Sequence, residues 1–159
     1  MRVVLFFFLI FNLSSLFSED SVPNYPLTRK ENGNVFAMHK ELNSLNSDSI
    51  FVLNFTKTTC KPCKKEIPEL ISLLKTNPKM KLALVFMGDS DKEVDATIKA
   101  LGVPPEVLVL MDRLEVSFSK LGFQGVPNTF ITGKNKNVQA RLEGYTEENM
   151  KTLKDILKN

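Results

Sequence analysis

The sequence predicts an α/β protein in which helices flank a mixed central sheet. Two observations favour this class. Between residues 50 and 121, apolar runs of strand length alternate with segments of helical periodicity, as is typical of parallel strands joined by helices. Two more predicted strands and a terminal helix follow, which adds an antiparallel pair to the sheet. The chain has 159 residues, of which 43% are apolar, and this is enough for one domain with its own core.

The first predicted elements are a hairpin, a short helix, a buried strand and a long helix. The pair Asn32-Gly33 is a strong hairpin turn signal, and the preceding strand is expected to lie at a sheet edge. The continuous apolar run at 50–55 predicts a strand covered on both faces. Pro68 should kink the long helix. These elements are expected at 25–27, 35–36, 38–45, 50–55 and 61–75.

The remaining elements continue the alternation and then close the sheet. Asp89-Ser90-Asp91 is expected to cap a helix that Gly102 ends, and Thr146 is expected to cap the last helix. The turn Gly133-Lys134-Asn135 should join the last two strands. In chain order these elements are a strand at 81–87, a helix at 92–101, a strand at 107–111, a helix at 115–121, strands at 129–132 and 138–142, and a helix ending at 157.

The first 18 residues differ from the rest of the chain. One positive charge at Arg2 precedes an apolar run from Val3 to Phe17, and small residues lie near its end. This pattern is typical of a secretory signal peptide, and the run is shorter than the ~20 residues of a membrane-spanning helix. A bulky residue near the cleavage point leaves a retained N-terminal anchor as the alternative. We therefore expect a signal at 1–18, a domain at 19–159, and a periplasmic or otherwise extracytoplasmic location.

Both cysteines of the chain, Cys60 and Cys63, directly follow the predicted strand at 50–55. Export would place them where disulfides persist. A purely structural bridge is disfavoured, because closing so short a loop contributes about 2 kcal/mol, against nearly 5 kcal/mol for a loop of about a hundred residues. Zinc is disfavoured as well, because it prefers four ligands and the chain adds one histidine, His39, to the two cysteines. We expect no metal and no cofactor.

A redox role explains the position of the pair better. The thiolate is the reactive form of cysteine, and Cys60 would lie at a helix N-terminus, where backbone N–H groups and the helix dipole stabilise negative charge. Cys63 falls one turn deeper. We therefore predict that Cys60 attacks the substrate and that Cys63 resolves the mixed disulfide. Four lysines add positive charge around the pair, namely Lys57, Lys61, Lys64 and Lys65.

Four segments of the chain match one known pattern. Cys60-Lys61-Pro62-Cys63 has the form Cys-x-Pro-Cys, and Pro68 follows five residues later. Residues 125–130 match a loop whose proline is cis, and residues 22–27 match a segment that opens an N-terminal hairpin. With these segments in order over residues 22–157, the chain resembles the thioredoxin superfamily. It is most similar to the extracytoplasmic TlpA/ResA-like thiol–disulfide oxidoreductases.

This resemblance implies a thioredoxin fold with an N-terminal β-hairpin and a central αβ insertion. It also implies a Cys60–Cys63 disulfide in the oxidised state and a cis bond between Val126 and Pro127, the alternative being an ordinary trans proline before a strand. A cis bond before proline costs only about 0.5–1 kcal/mol. The backbone of Val126 would then lie beside Cys60, where an extended substrate peptide can pair with it. Three neighbouring residues are expected to complete this substrate-binding surface, namely Thr59, Lys61 and Pro62.

Glu66 is the acidic residue closest in sequence to the pair on its C-terminal side. It follows Cys63 by three residues and so lies on the same helical face. The resemblance implies that a glutamate here tunes the thiol pKa values and relays protons, whereas the alternative is a solvated side chain on a charged helix. Asn54 lies where cytosolic thioredoxins carry a buried aspartate, which shifts a relay role toward Glu66. The alternative for Asn54 is a hydrogen-bonded strand residue without a functional role.

One position departs from the family pattern. Thr59 stands where the family usually has Trp, and the chain contains no Trp at all. That ring normally shapes the surface on which partners dock. Its replacement leaves the partner choice and the reduction potential open, while the chemistry of the cysteine pair is unaffected.

The sequence thus predicts an exported thiol–disulfide oxidoreductase that acts on exported protein thiols and disulfides. We expect a reductant, because Pro62 offers no donor to the thiolate, although Lys61 acts in the opposite direction. A reductant needs a separate electron donor, expected in the membrane. The alternative is a non-catalytic thioredoxin-fold binding module or copper-handling protein, which would call for soft ligands and a nearby histidine. A formal charge of +3 does not indicate nucleic-acid binding.

Overall fold

The structure, a computed structural model, describes residues 25–44, 46, 48–132 and 137–158. The expected signal peptide, residues 22–24 of the opening segment and the expected turn at 133–135 lie outside the described residues. The elements, in chain order, are β1 (Pro26–Arg29), β2 (Val35–Ala37), α1 (Met38–Ser44), β3 (Ile50–Thr56), α2 (Lys61–Thr76), β4 (Met80–Met87), α3 (Asp91–Leu101), β5 (Leu108–Asp112), α4 (Val116–Leu121), β6 (Asn128–Thr132), β7 (Val138–Glu143) and α5 (Glu147–Lys158).

The strands form one mixed sheet in the order β2-β1-β5-β4-β3-β6-β7. The three central strands β5, β4 and β3 are parallel, because α2 and α3 carry the chain back across the sheet between them. The other neighbouring pairs are antiparallel. The predicted α/β class with a mixed central sheet is confirmed, and the carboxyl ends of β3, β4 and β5 meet at one edge.

The hairpin occupies a different place in the sheet from the one predicted. We expected its first strand at an edge, but β1 lies between β2 and β5, pairing Thr28 with Met111 and Arg29 with Leu110. The pairing extends past the strand, since the Lys30 N–H donates to the Val109 carbonyl at 3.0 Å. The prediction of an edge strand was wrong because β1 pairs with β5, which lies far from it in the sequence.

Apolar residues cover both faces of the sheet. On one face β3 and β4 contribute Val52 and Leu84, which pack with residues of α2, α3 and α5 such as Leu70. On the other face Leu53 and Val85 pack with residues of α1, α4 and the hairpin. All seven residues of β3 are buried, as predicted for a strand covered on both faces. The strand that leads to the cysteines is therefore held firmly on both sides.

The helix ends follow the predicted signals closely. Ser90 caps α3 and forms a capping box with Glu93, and Gly102 ends that helix in the left-handed region at φ 60°. The Thr146 hydroxyl accepts a hydrogen bond from the Asn149 N–H at 3.1 Å at the start of α5. Local side chains thus define these ends, which explains why they could be located from the sequence.

Candidate redox site

Cys60 and Cys63 lie where β3 leaves the sheet and α2 begins, and a disulfide joins them. Cys60 is the N-cap of α2, with an extended backbone conformation. Its Sγ accepts a hydrogen bond from the Cys63 N–H at 3.2 Å. Pro62 fits the first turn of the helix, where a backbone N–H would have no partner inside the helix. The strand-to-helix junction therefore presents Cys60 at the positive end of the helix dipole.

The two sulfurs differ in their access to solvent. Cys63 is fully buried, with an exposed fraction of 0%, whereas Cys60 is half-buried. Thr59, Lys61 and Pro62 are exposed around it. A partner of the size of a protein chain can therefore approach Cys60 but not Cys63.

The loop between α4 and β6 lies against the disulfide. Its Val126–Pro127 peptide bond is cis. The Val126 carbonyl oxygen lies 3.6 Å from the Cys60 Sγ, and Pro127 is buried. The Pro127 carbonyl accepts a hydrogen bond from the Gly144 N–H at 2.9 Å, which ties the loop to the end of β7. The structure thus brings Cys60, Val126 and Pro127 together.

Glu66 is buried beneath this junction, with 2% of its surface exposed. Its Oε2 accepts a hydrogen bond from the Asn54 side-chain amide at 3.0 Å, and its Oε1 accepts one from the Thr129 hydroxyl at 3.2 Å. The Asn54 amide also donates to the Thr129 hydroxyl at 2.8 Å. These three side chains come from α2, β3 and β6. The alternative of a solvated Glu66 was wrong, because the side chain points into the sheet rather than into solvent.

Burial changes the acidity of this carboxyl group. Loss of solvation raises the pKa of Glu66 to about 7, and the nearby charge of Glu69 acts in the same direction. The hydrogen bonds from Asn54 and Thr129 oppose this rise, because they stabilise the carboxylate. Glu66 can therefore gain or lose a proton near neutral pH, three residues from Cys63 on the same face of α2.

Thr129 was part of the matched loop segment, but its contact with Glu66 was missed by sequence reasoning. Thr129 lies opposite Asn54 in the antiparallel register of β3 and β6, so their side chains share one face of the sheet. The only sequence signal was that each of the two buried strands contains polar residues, among them Asn54 in β3 and Thr129 in β6. That signal identifies the partners only once the register is known.

Lys57, which was expected to add positive charge near Cys60, forms an ion pair that the sequence did not indicate. Its ammonium group pairs with the carboxylate of Glu115, from the loop between β5 and α4. The opposite charge offsets part of the positive field that the sequence predicts from this lysine. Lys61, Lys64 and Lys65 are exposed along the start of α2.

No group of three or more His, Cys, Asp or Glu side chains in the described part of the chain is arranged to hold a metal ion. Across the same ranges, no helix combines the length and the apolar character needed to cross a membrane.

The parallel core, the Cys-x-x-Cys pair at the head of α2 and the proline loop beside it define a thioredoxin-like domain. A thioredoxin-like protein from Aeropyrum pernix has the same fold, with a TM-score of 0.68 at 17% identity over 85% of this chain and 88% of that chain. Within this class, residues 19–141 match the sequence profile of the AhpC/TSA family, and the chain belongs to that family.

Two curated relatives carry the name thiol-disulfide oxidoreductase ResA. The chain is 28% identical to the protein of Geobacillus thermodenitrificans over 67% of its own length, and 30% identical to that of Bacillus subtilis over 69%. The matched regions cover 62% and 61% of those two proteins, so the chain spans about three fifths of the length of these relatives.

Proposed function

We propose that this chain is an exported thiol–disulfide oxidoreductase that reduces disulfides in other exported proteins. One observation carries the proposal: Cys60 is the accessible sulfur of a disulfide at a helix N-terminus, 3.6 Å from the Val126 carbonyl oxygen. The name shared by the two curated relatives supports the same activity. The buried carboxyl group of Glu66 supplies a proton-exchanging group near the pair.

The reaction begins from the reduced pair. The Cys60 thiolate attacks one sulfur of a substrate disulfide, and the other substrate sulfur leaves as a thiolate that takes up a proton. Cys63 then loses its proton and attacks the Cys60 sulfur, which releases the second substrate sulfur. The substrate disulfide gains two electrons, and the Cys60–Cys63 dithiol loses two electrons and two protons as it becomes a disulfide.

Glu66 serves the second step in this proposal. Cys63 is fully buried, so its proton needs an acceptor inside the protein. A carboxyl group with a pKa of about 7 is suited to accept that proton at neutral pH. Asn54 and Thr129 hold the carboxyl group in place through the hydrogen bonds described above.

The substrate would bind across the exposed rim of the pair. An extended peptide can hydrogen-bond to the backbone of Val126 in the manner of an added strand, with Pro127 fixing that backbone. Thr59, Lys61 and Pro62 form the exposed surface on the other side of Cys60. Because Thr59 has no aromatic ring, this surface favours partners that contact the backbone over partners that need a stacking platform.

Direction and location complete the proposal. Pro62 lacks a donor that would stabilise the thiolate of the reduced form, which favours a reductant. The apolar run near the N-terminus supports a signal peptide at 1–18 or a retained anchor, a domain at 19–159, and a periplasmic or otherwise extracytoplasmic location. A reductant there needs a separate electron donor, which we place in the membrane.

The test is to trap the mixed disulfide. With Cys63→Ser, Cys60 should form stable disulfides with exported proteins, because the resolving thiol is absent. Covalent partners should appear on non-reducing gels and disappear with reductant. Cys60→Ser is the matched control and should trap none. Limiting iodoacetamide on the reduced protein should label Cys60 before Cys63. Preferential labelling of Cys63, or no trapped partner, would contradict the proposed roles.

A further inference from the structure

The segment just before Cys60 is held by contacts from two other loops. Lys57 and Cys60 close a turn, with the Cys60 N–H donating to the Lys57 carbonyl at 3.1 Å. Between them, the backbone N–H and the hydroxyl of Thr58 both donate to the Asp89 carboxylate, at 3.0 and 2.6 Å. The position of Lys57 relative to Cys60 is therefore fixed by the fold.

The Lys57 side chain is fixed as well. Its ammonium group pairs with the Glu115 carboxylate and lies 5.5 Å from the centre of the Phe118 ring. Both charged side chains are only partly exposed, at 29% for Lys57 and 39% for Glu115. Screening by solvent is thus weaker than for a fully exposed pair.

Glu115 is positioned by unusual local structure. Its φ of 53° lies in the left-handed region, which non-glycine residues adopt rarely and at an energetic cost. Its carboxylate crosses the space above Gly88, where an added Cβ would lie 2.5 Å from Oε1. A glycine at the end of β4 and a left-handed residue after β5 together let this carboxylate reach the turn that precedes Cys60.

We propose that Glu115 is a positioning residue for the redox reaction. Its carboxylate neutralises Lys57 and so limits the stabilisation of the Cys60 thiolate. This rests on the proposed function, since it concerns the stability of the reduced pair. Glu115 thereby makes the protein a stronger reductant than its lysine-rich segment alone would. Asp89 precedes α3 and Glu115 follows β5. The segment from α3 to β5 therefore contacts the turn before Cys60 at both of its ends.

Charged groups surround the N-terminus of α2 on several elements. They are Lys61, Lys64 and Lys65 on α2, Lys57 in the preceding turn, Asp89 between β4 and α3, Glu115 between β5 and α4, and Glu66 beneath the junction. The loop at 122–127 carries no charge. Removing one member of the Lys57–Glu115 pair therefore unmasks the other member, while the remaining charges are unchanged.

The test uses two single variants and their combination in the full chain. Glu115→Gln leaves Lys57 unpaired, so the pKa of Cys60 should fall by roughly 0.3–0.5 unit, a two- to threefold rise in the ratio of thiolate to thiol. Lys57→Gln leaves Glu115 unpaired, so the pKa should rise by a similar amount. The double variant should return close to the original value. The thiolate absorbance of the reduced protein measures all three pKa values.

A second readout is the equilibrium with glutathione, measured above the pKa of Cys60. Glu115→Gln should shift this equilibrium toward the dithiol by about two- to threefold, and Lys57→Gln should shift it toward the disulfide. Both shifts should shrink in 1 M salt, where charges are screened over about 3 Å. Neither readout needs a protein substrate, so a failed trapping experiment and a failed charge experiment remain distinguishable.

Lys158→Gln is the matched control. Lys158 pairs with Asp155, and the adjacent Leu157 contacts Asn77 beyond the far end of the long helix α2. This substitution should leave the pKa of Cys60 unchanged. A purely structural role for the Lys57–Glu115 pair would lower the melting temperature in both single variants without shifting the Cys60 pKa in opposite directions. Shifts below 0.1 unit, or shifts of the same sign in both variants, would overturn the proposal.

Discussion

Glu66 is an acidic side chain that the fold has taken out of water. Among the described residues, two hydrogen bonds, from Asn54 and Thr129, replace its lost hydration. The Asn54 Oδ1 has no hydrogen-bond partner among the described residues. If the Asn54 amide flips, this oxygen can accept a hydrogen bond from the protonated carboxyl group of Glu66. The site thus accommodates both the charged and the neutral form, as a group that exchanges protons requires.

Glu66 should also make stability depend on pH. Its pKa is about 7 in the folded protein, against an ordinary value of 4.5. Between these values the folded state binds more protons than the unfolded state, so the free energy of unfolding falls as pH rises. At a pH below the unfolded-state pKa, no free energy of unfolding is lost. At a pH above the folded-state pKa, the loss is complete and amounts to about 3 kcal/mol. Glu66→Gln should remove this slope, as measured by urea unfolding of the disulfide form.

The exposed Glu148, in the first turn of α5, provides the control. Glu148→Gln should leave the slope unchanged, since its charge is solvated in both the folded and the unfolded state. If the profiles of the original protein and Glu66→Gln ran parallel from pH 4 to 8, Glu66 would not titrate as the structure indicates.

At the scale of elements, α4 connects β5 to the loop that carries Pro127. Its N-cap, Glu115, makes no side-chain capping bond. The buried carboxylate of Asp112, at the end of β5, replaces that cap by accepting from the Val116 and Ser117 N–H groups at 3.0 and 2.8 Å. The Ser117 hydroxyl in turn bonds the Tyr25 hydroxyl at 2.8 Å. The Asp112 carboxylate thus links the end of β5 to the start of α4, and Ser117 links the start of α4 to Tyr25, the residue before the hairpin.

Asp112→Ala should therefore be costly. Two backbone donors would lose a charged acceptor in a buried site, for which we expect a loss of about 3 kcal/mol in the free energy of unfolding. Ser90→Ala, which removes the exposed cap of α3, is the comparison and should cost about 1 kcal/mol. Chemical unfolding of both variants gives the two values. Equal losses would mean that Asp112 contributes no more than an ordinary helix cap.

At the scale of the whole molecule, the redox state of one short loop is coupled to global stability. The Cys60–Cys63 bridge closes few residues, so its effect on the unfolded chain is about 2 kcal/mol. Any further difference between the two redox states must come from the folded structure. For a reductant, the folded protein favours the disulfide more than the unfolded chain does, by linkage between folding and redox state.

The disulfide form should therefore melt at a higher temperature than the dithiol form. In a protein of this size, each kcal/mol corresponds to a shift of about 2–4 °C. Thermal unfolding with and without dithiothreitol measures the difference, and the Cys60→Ser/Cys63→Ser double variant controls for effects of the reductant. A more stable dithiol form would reverse the proposed direction and indicate an oxidant.

Much of this protein could be predicted from the sequence because the relevant signals are local. Apolar runs, capping residues and turn signals placed the strands and helices within about two residues of their observed ends. The Cys-x-x-Cys spacing placed Cys60 at a helix N-terminus and Cys63 one turn deeper, because helical geometry fixes that relation within four residues. Here the sequence by itself determined the class of fold and the position of the cysteine pair.

The tertiary structure decided which distant residues meet that pair. Glu66 is buried rather than solvated because Asn54 and Thr129 donate hydrogen bonds to its carboxylate beneath the sheet edge. Thr129 lies 63 residues away in the sequence. Lys57 pairs with Glu115, which lies 58 residues away. These contacts depend on the order and register of the strands, which local patterns do not encode. The electrostatic environment of the cysteines is therefore a property of the assembled sheet edge, where loops from separate strands bring their charges together.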